Sequence, residues 1–201
     1  MRISGGSAKG RKVGSRKAFV AKGDSDELRP TASKVRQAIF NILAGKIEGS
    51  HFLDLYAGTG AVGIEALSRG AGHVVFVENN PARIEIIETL VEKFGFIARA
   101  SVVKAQAASF LNKSPHGSFD IIFLDPPYAT DELALSFLVI DKCLLVRKEG
   151  IVIAEHSSKK VLTYPLNNLR LKKNYRYGDT ALTLYEYSEP DENFVSREKN
   201  P

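Results

Sequence analysis

The stretch LDLYAGTGAVG, residues 53–63, joins an apolar run to a glycine-rich loop and then to a helical pattern. Its GTGAVG portion has the G-x-G-x-x-G spacing that follows the first strand of dinucleotide-binding folds, and Glu78 lies twenty residues after Gly58. Asp54, at the carboxyl end of the preceding strand, would repel a pyrophosphate but attract a ligand with an ammonium or sulfonium group, such as S-adenosylmethionine. The loop alone leaves three interpretations open: a methyl-donor site, a dinucleotide site, or a glycine turn that serves packing.

Strand and helix patterns alternate from this loop onward, and the strand cores are continuous and β-branched, as expected when both sheet faces are covered. Near the end, NLRLKKNYRY and TALTLYEY flank Gly178 and Asp179, which predicts an antiparallel hairpin. We therefore predict an α/β fold: a doubly wound, mostly parallel seven-stranded sheet with an antiparallel C-terminal hairpin. Strands are expected at 51–56, 73–78, 100–104, 119–125 and 150–155, and helices at 31–44, 61–70, 80–95, 106–112 and 130–141.

Positive charge is concentrated at the start of the chain. Residues 1–36 carry a net charge of +7, whereas the whole chain of 201 residues carries +5. We predict a basic N-terminal arm over 1–29 with a loose hairpin, one domain over 30–187, and a frayed polar tail over 188–201. The arm is compatible with a polyanionic partner and also with a merely solubilising role.

Several classes of protein are disfavoured by composition. No apolar run approaches the length of a membrane span, and the first residues lack the apolar core of a signal peptide. The single cysteine cannot form an internal disulfide, and the four histidines lack metal-ligand spacing, so no metal site is predicted. These features predict a cytoplasmic protein, and nothing in them requires more than a monomer.

A second motif, DPPY at residues 125–128, follows the strand pattern FDIIFL and so lies at the carboxyl edge of the predicted sheet. The two prolines, Pro126 and Pro127, fix the backbone and remove N–H donors. The carboxylate of Asp125 beside a fixed carbonyl oxygen suits an –NH2 group, and Asp125 is placed to take its departing proton. Tyr128 offers a ring on which an unstacked base can lie.

DPPY alone is also compatible with a rigid turn in which Asp125 caps the next helix. The glycine loop and Glu78 at the end of the second strand precede DPPY in the chain, and this combination favours the methyl-donor interpretation. A dinucleotide site does not require a pair of acceptors facing an amine. Glu155, at the end of GIVIAE, is expected at the surface in preference to the crevice.

With both motifs placed, the chain resembles the class I methyltransferases that modify amino groups of nucleobases. More narrowly it resembles the bacterial RsmD family, which methylates guanine N2 at one site of 16S ribosomal RNA. The resemblance covers nearly the whole chain and rests on five blocks in the family's order: RISGGSAKGRKV, LRPTASKVRQAIFNIL, DLYAGTGAVGIEALSRGAGHVVFVE, FDIIFLDPPY and YRYGDTALTLYEY.

The resemblance implies a role for residues at each motif. The donor's methionine part would lie near Asp54, Gly58 and Gly60, and its ribose would bind Glu78. Gln106 stands where the family usually has Asp or Asn at the adenine edge. Tyr56, Asn79 and Ala107 complete the expected donor site, and the target guanine would be held by Asp125, Pro126, Pro127 and Tyr128.

Substrate contacts are expected from the arm and the RPT segment, as the resemblance implies. The candidates are Arg11, Lys12, Arg29 and Thr31, although helix capping and surface charge explain the last two equally well. The expected activity is methyl transfer from S-adenosylmethionine, giving S-adenosylhomocysteine, to guanine N2 in 16S rRNA, free or within a small-subunit particle. Alternatives are an amino methyltransferase of another RNA or of DNA adenine, and a non-catalytic RNA-binding module.

Overall fold

The computed structural model describes residues 2–13, 33–128 and 130–189. Its helices are α1 (Ser33–Ile42), α2 (Ala61–Ser68), α3 (Pro81–Lys93), α4 (Ala107–Leu111) and α5 (Glu132–Lys142). Its strands are β1 (His51–Leu55), β2 (His73–Glu78), β3 (Ala100–Lys104), β4 (Phe119–Leu124), β5 (Val146–Ser157), β6 (Leu169–Tyr177) and β7 (Thr180–Tyr187). Within the described ranges, no helix is both long and apolar enough to cross a membrane.

All seven strands form one sheet in the order β3-β2-β1-β4-β5-β7-β6. Strands β1 to β5 are parallel to one another, whereas β7 lies antiparallel between β5 and β6. Gly178 and Asp179 form the turn of the β6–β7 hairpin, as their sequence predicts. The fold class is therefore confirmed, and β1 lies at the point where the strand order reverses, which places a ligand crevice at the carboxyl ends of β1 and β4.

Hydrophobic cores cover both faces of the sheet, which explains the continuous apolar strands. Helices α1, α2 and α3 cover one face through residues such as Ile39, Ile64 and Ile87, and α4 and α5 cover the other through residues such as Leu111 and Phe137. The sequence signals at helix ends are local and reliable: Asn80 caps α3 by accepting the amides of Ala82 and Arg83.

The first residues pack onto the domain. An antiparallel bridge joins Arg2 to Lys12, so the hairpin expected within the arm is present over 2–13. Ile3, Ala8 and Val13 are buried in the core on the side of α2. The buried carboxylate of Glu65 accepts the Ser4 amide at 2.9 Å, which fastens this hairpin to α2.

Candidate active site

Three acidic side chains are brought together where adjacent strands end. Asp54 lies on β1, Asp125 directly follows β4, and Glu155 lies on β5. Alternation along the strands places all three on the face covered by α1 to α3, since their neighbours Leu53, Leu124 and Ala154 pack on the opposite face. Tertiary structure thus assembles three acids that are spread over about a hundred residues of sequence.

Asp54 lies beneath the glycine loop and is only 1% exposed. Its Oδ2 accepts the Gly63 amide at 2.8 Å, in the first turn of α2. Burial raises the pKa of Asp54 to about 8, with further contributions from the charges of Asp125 and Glu78 and an opposing one from the Gly63 amide. A cation bound nearby would make loss of the Asp54 proton easier.

Glu78 joins the two loops that flank the crevice. Its Oε2 accepts the Gly58 amide at 2.8 Å, and its Oε1 accepts the amides of Asn79 and Asn80 at 2.8 and 2.9 Å. A carboxylate has about four acceptor positions, and backbone donors occupy three of them. The Arg83 guanidinium lies 3.9 Å from Oε2 in an ion pair, so a ligand hydroxyl would bind the remaining position beside this cation. This arrangement fits the ribose role that the sequence suggests for Glu78.

The glycines of the loop serve different purposes. A Cβ at Gly58 would meet nothing nearer than the Tyr56 carbonyl oxygen at 4.0 Å, so this residue leaves open space for a ligand. A Cβ at Gly63 would lie 2.2 Å from the Phe76 ring, so this glycine permits close packing of α2 on β2. Gly60 is buried, has a left-handed backbone and packs near Ile87.

Phosphate binding at this loop is disfavoured by the same contacts. Dinucleotide sites direct loop amides at a pyrophosphate, but here the amides of Gly58 and Gly63 already donate to Glu78 and Asp54. A diphosphate could bind these amides only by taking them from the two carboxylates. Its own negative charge would then lie beside two acids that had lost a hydrogen bond. A cationic donor fits this set of residues, whereas a dinucleotide does not.

The remaining donor-site candidates lie around the same edge. The Ala105 amide donates to the Glu78 carbonyl at 3.1 Å, which brings Gln106 next to Glu78 at the start of α4. The Gln106 side chain is exposed and makes no capping hydrogen bond, and Ala107 begins the helix behind it. The Tyr56 side chain points instead toward α5, where its hydroxyl lies 2.8 Å from Ser136 Oγ.

The DPPY segment forms a corner beside the glycine loop. Helix α5 begins at Glu132 with Asp131 at its N-cap position, so Asp125 does not cap it. The Pro127 carbonyl accepts both the amide and the hydroxyl of Thr130, at 3.3 and 2.9 Å. This leaves the Pro126 carbonyl as the candidate acceptor beside the Asp125 carboxylate, and burial raises the pKa of Asp125 above its ordinary value.

Glu155 does not have the surface position expected for it. The residue is only 5% exposed, and its Oε1 accepts the Tyr128 hydroxyl at 3.4 Å. Burial first, and then the charge of Asp125, raise the pKa of Glu155. The expectation was wrong because β5 lies inside the sheet, between β4 and β7. The sequence did contain a signal for this residue, because Glu155 ends an apolar strand pattern just as Glu78 does.

Tyr128 itself is 42% exposed above Glu155, so its ring remains available at the rim. Burial of its hydroxyl raises the pKa of Tyr128 to about 12, which keeps the phenol protonated and able to donate to Glu155. The corner thus combines an aromatic ring with two acids.

The arm residues are not brought to this edge. Arg11 donates to the Lys93 carbonyl at 3.1 Å and stacks on Phe94, both at the C-terminus of α3. Because α3 runs back from the carboxyl edge, Arg11 lies at the opposite edge, and Lys12 adjoins it in the hairpin. Arg29 and Thr31 lie outside the described residues, so their substrate role stays a prediction.

An open sheet with this strand order, a glycine loop held by carboxylates and an acidic Pro-Pro corner define a class I methyltransferase fold. Within the described residues, no group of three or more His, Cys, Asp or Glu side chains is arranged to hold a metal ion.

Comparisons with known proteins identify the family. The family described as Conserved hypothetical protein 95 matches residues 1–186. The chain is 33% identical over 188 residues to "Putative rRNA methyltransferase YlbH" of Bacillus subtilis, covering 92% of this chain and 98% of that one. It is 32% identical to "Ribosomal RNA small subunit methyltransferase D" of Escherichia coli K12, covering 92% of this chain and 89% of that one.

A solved structure, "Putative methyltransferase yhhF from Escherichia coli", superposes with a TM-score of 0.79 at 30% identity, covering 94% of this chain and 98% of that one. The chain therefore belongs to the Conserved hypothetical protein 95 family, the RsmD family, and is a methyltransferase.

Proposed function

We propose that this protein transfers a methyl group from S-adenosylmethionine to the exocyclic N2 amine of a guanine in 16S ribosomal RNA. The observation that supports the proposal is that β4, which ends just before Asp125, pairs with β1, whose Asp54 holds an amide of the glycine loop, as Glu78 does from β2. The relatives named as small-subunit rRNA methyltransferases support the choice of substrate.

The donor site is assigned to residues with complementary chemistry. Glu78 would bind the ribose, and the open space above Gly58 would hold the methionine part. The side-chain amide of Gln106 would accept and donate hydrogen bonds at the adenine edge. The buried charge of Asp54 would favour the sulfonium over the neutral thioether of the product. S-adenosylmethionine supplies an electrophilic methyl group in such a site.

The acceptor side is assigned to the DPPY corner. The Asp125 carboxylate and the Pro126 carbonyl would each accept one N–H of the guanine amine, so that its nitrogen lone pair faces the methyl group. As the new N–C bond forms and the C–S bond breaks, the nitrogen becomes cationic and loses a proton. Asp125 is the nearest base, and its raised pKa suits proton transfer near neutral pH.

Substitution of Asp125 tests this assignment. We expect Asp125→Ala to retain binding of S-adenosylhomocysteine but to lose transfer of labelled methyl by roughly 100-fold or more, the usual range for a catalytic proton acceptor. Asp131→Ala is a matched control, because Asp131 is an exposed acid near the same corner and makes no capping hydrogen bond. Undiminished transfer by Asp125→Ala would remove this residue from the mechanism.

The substrate is tested with labelled donor and 16S RNA, both free and within small-subunit particles, followed by mapping of the modified base. Label on guanine N2 supports the proposal. Label on DNA adenine or on another RNA, or RNA binding without transfer, would replace it with one of the alternatives. We propose that the protein acts as a monomer in the cytoplasm, where ribosomal RNA is made.

A further inference from the structure

Glu155 has a buried oxygen that is unpaired within the part of the chain that the structure describes. Its Oε1 accepts the Tyr128 hydroxyl, but Oε2 is buried and has no hydrogen-bond partner among the described residues. Buried carboxylate oxygens are normally paired, because the loss of water is otherwise uncompensated. Because Glu155 lies beneath Tyr128 in the DPPY corner, a base bound at this corner is the candidate source of the missing donor.

The two acids of this corner lie side by side. Leu124 of β4 pairs with Ala154 of β5, so Asp125 and Glu155 each stand one position further along parallel strands. Neighbouring strands are about 4.8 Å apart, which brings the two side chains to the same face at short range. Their charges interact, since Asp125 contributes to the raised pKa of Glu155.

Two neighbouring acceptors complement the donors on one nucleobase edge. Guanine presents its N2 amine next to a ring N1–H, so it offers two neighbouring donors. Adenine and cytosine also carry an exocyclic amine, but the ring nitrogen beside that amine is an acceptor. A carboxylate facing such a nitrogen meets a lone pair, whereas a carboxylate facing guanine N1–H gains a charge-assisted hydrogen bond.

We propose that Glu155 accepts the N1–H of the target guanine while Asp125 holds its N2 amine, which makes Glu155 the residue that selects guanine. This inference rests on the proposed function and assigns the base specificity within the same site. Tyr128, which donates to the other oxygen of Glu155, holds the carboxylate in place while its ring borders the base.

The ionisation state of the pair agrees with this role. Asp125 is half-buried and Glu155 is buried, and the pKa of each is raised, because burial and the neighbouring carboxylate disfavour the charged form. A cationic donor and a guanine N1–H both stabilise the ionised pair, so ionisation accompanies assembly of the two substrates.

The test uses 16S RNA in the form that the wild-type protein methylates, with the mapped guanine replaced by 2-aminopurine. This base keeps the amine at C2 and lacks the N1–H. We expect the wild-type kcat/KM to fall by about 100-fold to 10,000-fold, since a site built around a substrate N–H rejects the analogue that lacks it. In Glu155→Gln, the amide –NH2 can donate to N1 of 2-aminopurine. We therefore expect the fall in kcat/KM from guanine to 2-aminopurine to be at least about ten-fold smaller in this variant than in the wild type.

A matched control, one binding measurement and one stability measurement make the result specific. Glu149→Gln removes an exposed carboxylate at the other end of the same strand and is expected to leave both rates unchanged. Binding of S-adenosylhomocysteine and the thermal midpoint show that Glu155→Gln is folded. The loss of O6 in 2-aminopurine affects both proteins alike, so the ratio between them isolates the N1 contact.

The outcomes separate this inference from the proposed function. Methylation of unmodified guanine by the wild-type protein supports the proposed function whatever happens with 2-aminopurine. Three results would overturn the role of Glu155. They are an equal fall in kcat/KM in both proteins, methylation of the analogue as fast as guanine, and failure of both proteins to methylate the analogue. Absence of guanine methylation altogether would overturn both.

Discussion

Asp54 is expected to make the protein less stable as the pH rises, and Asp54→Asn is expected to remove that dependence. In the unfolded chain the carboxyl loses its proton near its ordinary pKa of 3.8, whereas in the folded protein it keeps the proton up to about pH 8. The folded state therefore binds more protons between these values. The contribution to stability is complete below the lower pKa and is lost as the pH rises through the upper one.

The magnitude follows from the two pKa values. A pKa difference of one between the folded and unfolded states corresponds to about 1.36 kcal/mol, so between about pH 5 and about pH 8 this single group is expected to reduce the free energy of unfolding by roughly 4 kcal/mol. Asparagine carries no charge and retains an oxygen that can accept the Gly63 amide, which Asp54 now binds at 2.8 Å. Asp54→Asn is therefore expected to gain stability relative to wild type at the higher pH, while losing affinity for S-adenosylmethionine.

Urea unfolding followed by far-UV circular dichroism measures this effect, since the chain contains no Trp for fluorescence. Asp120→Asn is the control: it lies on the neighbouring strand at the opposite edge and pairs with Arg147 at 2.9 Å, so its loss is expected to lower stability or leave it unchanged at both pH values. If wild type and Asp54→Asn showed parallel changes in stability with pH, the buried charge would not be the cause.

The affinity for S-adenosylmethionine is expected to increase as the pH rises from about 6 to about 9, because the sulfonium favours the ionised form of Asp54. Calorimetric titration should show a smaller increase for S-adenosylhomocysteine, which has no sulfonium. Gly63→Ala is expected to cost about 1–3 kcal/mol, since its Cβ would lie 2.2 Å from the Phe76 ring, and Phe76→Leu is expected to restore part of that loss in urea unfolding. If the double variant lost the sum of the stability losses of the two single variants, the clash between the new Cβ and the Phe76 ring would not be the cause. Arg11→Ala is expected to lower the thermal midpoint through loss of its stacking on Phe94, without changing the salt dependence of RNA binding. A smaller salt slope would instead place Arg11 on the RNA.

The sequence by itself determined the features that depend on local chemistry. Hydrophobic periodicity predicted the strands and helices, Asn80 and Pro81 predicted the start of α3, and Gly178-Asp179 predicted the final turn. The loop and DPPY motifs also predicted which edge of the sheet carries the site, because parallel strands place their carboxyl ends together.

Tertiary structure decided what depends on the neighbours of each strand. Glu155 looks in the sequence like a surface acid at a strand end, yet its burial follows from the insertion of β7 beside β5. The position of Arg11 was equally hidden, since the sequence shows its charge but not its place at the far end of α3. Burial, pairing and charge interaction are properties of strand order and packing, so they appear only when residues distant in sequence meet.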